Sequence, residues 1–158
     1  RPSLPQKVVS VAHVNQIAVS GKLAAQLCAA WKREVGAVGA LVTSDNAGVA
    51  VESQEVFAAL MEAGAQPVKL LSKPKDQEDA QAVLRRAVGE LGVGWVIAWG
   101  NAFPQLFRPF FSVVVTGHRR DLVRADARVI QADLEVTAPG PELATLLARR
   151  LAGEHGLR

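Results

Sequence analysis

Residues 8–35 read VVSVAHVNQIAVSGKLAAQLCAAWKREV, and this stretch decides the fold. Residues 8–14 are short, apolar and rich in β-branched valine, as a buried strand requires. The pattern then changes. Leu23, Leu27, Ala30, Trp31 and Val35 recur at three- and four-residue spacing, which predicts a helix over 20–35 with one apolar face. Ser20 is the expected N-cap, its hydroxyl accepting one of the free amide protons of the first turn. Gly36 is the expected stop, supplying the left-handed residue that helix ends favour.

The same alternation continues outward from this unit. Residues 38–43 (VGALVT) read as a strand ended by the turn run Ser44, Asp45, Asn46, Ala47 and Gly48. A helix is expected over 53–63, with Val56, Phe57, Leu60 and Met61 inward and Gly64 beyond it. Residues 67–72 (PVKLLS) form the next strand. After the polar turn 73–77 a helix runs to Leu91, with Ala80, Val83, Leu84, Ala87 and Val88 on one face. Residues 95–99 (WVIAW) are apolar at every position, the mark of a central parallel strand covered on both sides. A short helical turn at 103–108, strands at 111–116 (FSVVVT) and 134–138 (LEVTA), and a helix opened by Pro141 and running to 152 complete the order. Residues 122–128 fit neither pattern. Repeated strand–helix alternation implies crossover connections: an α/β fold of three layers, αβα, around a mostly parallel sheet. One domain is expected over 8–153, with short tails at 1–7 and 154–158.

Composition narrows the function. Of the 158 residues, 49% are hydrophobic and 21% charged, which excludes a disordered chain. The net charge of +3 is not gathered into a basic run, so nucleic acid is not an expected partner. No apolar run reaches the ~18 residues of a membrane span, and no membrane partner is expected. The single cysteine, Cys28, excludes an intrachain disulfide framework and fits a reducing, cytoplasmic setting. The three histidines are dispersed, and no zinc spacing is present.

In open α/β sheets, ligands bind beyond the carboxyl ends of the strands. The first such junction, residues 13–23, is a strand, a loop and then Gly21-Lys22 opening a helix. That is the layout of a phosphate-binding loop, G-x-x-x-x-G-K-[ST], in which amides and the positive helix end surround phosphate oxygens. Gly21 and Lys22 fit; Gln16 stands at the first glycine and Leu23 at the hydroxyl residue. The plainer reading of the same residues is a helix start capped by Ser20, with Lys22 in solvent.

The succession of VGALVTSD at 38–45, FAALMEAGA at 57–65, WVIAWGNAF at 95–103 and RPFFSVVV at 108–115 resembles the P-loop GTP-binding proteins of molybdopterin-guanine-dinucleotide biosynthesis, the MobB type. The resemblance implies a P-loop NTPase-like fold, a homodimer and a molybdenum-cofactor biosynthesis protein as client. The ligand it implies is GTP or ATP, with Ser20, Gly21 and Lys22 around the phosphates. Asp45 corresponds to the strand-end acid that assists Mg²⁺, its plainer reading being a turn residue, and Asn101 either contacts a ligand in place of the missing acid or bonds its own loop. In the loop after residue 116, Arg119 would stack on the base and Asp121 accept its N–H groups; the plainer reading there is a solvated basic loop. Three departures bear on chemistry. Leu23 has no hydroxyl for Mg²⁺, Gln16 replaces the bending glycine, and Trp99 replaces the acid closing the fourth strand. Without them Mg²⁺-assisted phosphoryl transfer is not expected, and no catalytic residue is assigned. The expected function is a degenerate P-loop accessory protein that binds a nucleotide or phosphate. The alternative is a structural or protein-interaction domain on the same fold, with Trp99 filling the former site. A third reading is a working nucleotide enzyme with relocated ligands.

Overall fold

Successive side chains of a strand point to opposite faces, and in β1 (Lys7–Val14) Val9 and Val11 enter one core while Val8 enters another. The split recurs in β2 (Gly39–Ser44), where Ala40 and Val42 face the first core and Leu41 the second. In β4 (Trp95–Trp99), Ile97 and Trp99 face the first core, Val96 and Ala98 the second. Runs that are apolar at every position are thus explained by cover on both sides. This computed structural model describes residues 1–44, 51–72, 77–117 and 131–154.

Three helices cover the first face: α1 (Ile17–Val35), α2 (Val51–Glu62) and α5 (Pro141–Glu154). Helices α3 (Gln77–Glu90) and α4 (Ala102–Leu106) cover the second. With β3 (Val68–Ser72), β5 (Phe111–Thr116) and β6 (Leu134–Val136), the six described strands form one parallel sheet in the order β3-β2-β4-β1-β5-β6. The α/β class and the layering agree with expectation. No helix among the described residues is long and apolar enough to cross a membrane.

α1 is the middle helix of its face, packed between α2 and α5. Leu27, Cys28 and Trp31 are fully buried there, and the Trp31 ring meets Trp95 edge-on at 4.9 Å. On the other face Phe103 and Phe107 stack at 5.3 Å, whereas Phe110 and Phe111 are half-buried.

Several boundaries differ from expectation for identifiable reasons. α1 begins at Ile17, so Ser20 is not its cap; Gln16 holds that place without a side-chain bond. The early start follows from Asn15, whose φ of +56° turns the chain straight from β1 into the helix, a conformation asparagine tolerates better than most residues. α2 likewise starts earlier, at Val51, and Met61 is 56% exposed rather than inward. Residues 1–6 are not a loose tail. Ser3 bridges to Arg108, the Arg108 amide donates to Pro2 O at 2.8 Å, and Leu4 packs on the second core.

Candidate functional site

The chain after β1 enters α1 on the first face, and the chain after β4 enters α4 on the second. Between the carboxyl ends of these adjacent strands lies the topological switch point, where an α/β sheet opens a crevice. Four side chains meet there. The Trp99 indole, 3% exposed, stacks on His13 with centroids 5.3 Å apart and planes 21° from parallel. Its Nε1–H donates to Ser20 Oγ at 2.9 Å, and the Ser20 hydroxyl in turn donates to Ile17 O at 2.9 Å. Asn101 holds the backbone of one residue through two hydrogen bonds. Its Oδ1 accepts from the His13 amide and its Nδ2 donates to His13 O, each at 2.9 Å.

Backbone geometry makes this closeness achievable. Gly100 has φ +117° and its amide donates to Val11 O at 3.0 Å, which adds a bond past the β1–β4 ladder. A Cβ on Gly100 would lie 2.2 Å from Thr43 Oγ1, so only glycine lets the loop pass so near β2. Thr43 Oγ1 itself donates to Trp99 O at 3.2 Å.

These positions correct the expected phosphate cradle. The Ser20 amide donates to Gln16 O at 3.0 Å, the first bond of the helix, so the amides from Ser20 onward belong to α1 rather than to a loop. Ser20 is fully buried with its hydroxyl engaged. Gly21 is buried in the second turn, where a Cβ would lie 2.6 Å from Val56 Cγ2. Lys22 is exposed and lines a groove between α1 and α2 with Glu52 and Glu55, away from Asn101. Ser20, Gly21, Lys22 and Asn101 therefore do not converge on one ligand position. Asp45, the expected metal residue, and Arg119 and Asp121, the expected base contacts, lie outside the described residues. Among the described residues, no group of three or more His, Cys, Asp or Glu side chains could hold a metal ion.

The groove was not anticipated from sequence. It encloses about 380 Å³, and Gly21, which has no side chain, together with Ala25 and Ala59 leaves that space open. The signal was present as Ala18, Lys22 and Ala25 on α1 and Glu52, Glu55 and Ala59 on α2, stripes at helical spacing that lack large apolar residues. The Ser20–Trp99 bond had no local signal, because it joins residues 79 positions apart.

Comparison with protein-family models, curated proteins and solved structures finds no match to this chain.

Proposed function

We propose that this chain is a non-catalytic protein-interaction domain whose switch-point crevice is filled by its own side chains. One observation carries the reading: the Trp99 indole, stacked on His13 and bonded to the Ser20 hydroxyl, occupies the head of the first crossover. An open α/β sheet receives its ligand there, and a phosphate would need loop amides and free donors at that place. α1 instead uses its Ser20 amide internally, and the hydroxyl that a ligand would meet already bonds an indole. The domain would act through its surface, on another protein, rather than through phosphoryl chemistry. The competing reading, an accessory protein holding GTP or ATP on Gly21 and Lys22, gives the opposite result in one titration.

In that experiment mant-GTP and mant-ATP are titrated with and without Mg²⁺ against wild type and Lys22→Ala. No saturable fluorescence change is expected at millimolar nucleotide in either protein. Saturable binding that Lys22→Ala abolishes would overturn the proposal and restore the nucleotide reading.

A further inference from the structure

We infer that the small cavity between the N-terminal segment and residues 108–110 binds a phosphate group, free or carried by a small monoester, through Lys7 and Arg108. The inference goes beyond the interaction-domain reading and does not depend on it.

The cavity lies at the amino ends of β1 and β5 on the second face, at the other end of the sheet from Trp99. Backbone bonds fix its walls. The Lys7 amide donates to Gly94 O at 2.7 Å, the Phe110 amide to Val8 O at 2.8 Å and the Arg108 amide to Pro2 O at 2.8 Å, while Ser3 is bridged to Arg108. Buried Phe103 and half-buried Leu4 close it from the second core. Walls tied by main-chain bonds need little reordering when a ligand enters.

Charge decides the occupant. The lining holds Lys7 and Arg108, with Ser3 and Gln6 as neutral donors, and no acidic residue. Lys7 is half-buried, and its Nζ sits 5.2 Å from the centroid of the Phe110 ring, which lines the same cavity. A lysine drawn out of solvent ordinarily has an acidic partner. Here neither Lys7 nor Arg108 forms an ion pair with any described residue. Two cations on one cavity repel each other, and an anion between them turns that repulsion into attraction. A guanidinium presents a planar fork to two phosphate oxygens, an ammonium serves a third, and the Ser3 hydroxyl and Gln6 carboxamide can donate to what remains. Size sets the class of ligand. The cavity encloses about 170 Å³, well below the roughly 300 Å³ at which pockets begin to hold drug-sized molecules, so it suits a phosphate group and not a nucleotide.

The test is isothermal titration calorimetry with inorganic phosphate and with phenyl phosphate, at ionic strength held constant with sodium chloride. One saturable site of millimolar strength or better is expected on the wild type. Lys7→Gln and Arg108→Gln are each expected to weaken it about tenfold, and the pair together to abolish it. Arg108→Lys, which keeps the charge and loses the fork, is expected to fall between wild type and Arg108→Gln. Circular dichroism of each variant checks that the fold is intact. Lys22→Ala, which removes a lysine from the first face, is expected to leave binding unchanged. Tighter binding of phenyl phosphate identifies a monoester as the ligand, and tighter binding of inorganic phosphate identifies the free ion. The absence of saturation by about 20 mM of either probe, or affinity indifferent to both glutamine substitutions, overturns the inference. Binding lost in Lys22→Ala also overturns it, by placing the anion at the head of α1.

Discussion

Asn101 makes two hydrogen bonds to the backbone of one residue, donating to His13 O and accepting from the His13 amide, in the way a neighbouring strand would. Its carboxamide thereby continues the β1–β4 pairing past Trp99, where β4 itself has ended. Asn101→Ala leaves both His13 groups without that partner in half-buried surroundings. Stability is expected to fall by about 2 kcal/mol, given typical costs for orphaned polar groups, as read by urea denaturation. A change within error would mean that water replaces the carboxamide at no cost. At this scale the surroundings of Trp99 were not legible, because the Ser20 hydroxyl it bonds lies 79 positions away. The sequence misled at Ser20, Gly21 and Lys22, because serine, glycine and lysine suit a helix interior and a phosphate loop almost equally. The difference begins at Asn15, whose φ of +56° turns the chain from β1 into α1 within two residues.

The packing of α1 on α2 turns on Gly21. Inside a helix, alanine in place of glycine is worth about 1 kcal/mol, but a Cβ here would lie 2.6 Å from Val56 Cγ2. Valine is held in one side-chain rotamer in a helix, so relief requires the two helices to separate. Gly21→Ala is therefore expected to destabilise by about 1 kcal/mol despite its better propensity. In a Val56→Ala background the same substitution is expected to stabilise by about 1 kcal/mol. Denaturant unfolding of the four proteins measures the coupling, and simple additivity would refute the close approach. Strands with β-branched or apolar runs were legible to the residue at Trp95–Trp99 and Phe111–Thr116. The starts of α1 and α2 were not, whereas α5 opens at Pro141 as expected. The first turns of α1 and α2 carry exposed Ile17 and Val51, which break the apolar pattern used to find the helices.

At the scale of the whole molecule, Cys28 reports on the state of the first core. Burial pushes its thiol up from 9.0 to about 11, while the charge of Lys32 and a hydrogen bond from the Ala65 backbone pull in the opposite direction. A thiol with a raised folded value favours the native state fully while both states keep the proton, below pH 9. As pH rises from 9 to 11 the unfolded chain loses its proton first, and stability falls by about 1.4 kcal/mol per pH unit. Urea midpoints of wild type and Cys28→Ala, compared from pH 8 to 11, should show wild type losing on the order of 2 kcal/mol more than the variant. Parallel profiles would show that the thiol ionises as easily folded as unfolded. The class of fold was legible because alternation of strand and helix is a local pattern. The order of strands was not, since apolar runs identify strands but do not say which of them are neighbours.

That order has a consequence for how the chain is made. Among the described strands β1 pairs with β4 and β5, and β4 stands between β1 and β2. A nascent chain leaving the ribosome therefore carries VVSVAHV as an unmatched sticky segment until residue 95 and those after it emerge. β2 and β3 can pair early as a separate pair, and the late arrival of WVIAW joins the two halves. Such long-range closure is slow and leaves apolar strands open to misassociation. Chains interrupted before Trp95 would therefore be clients for chaperones or proteases rather than smaller working versions of the protein.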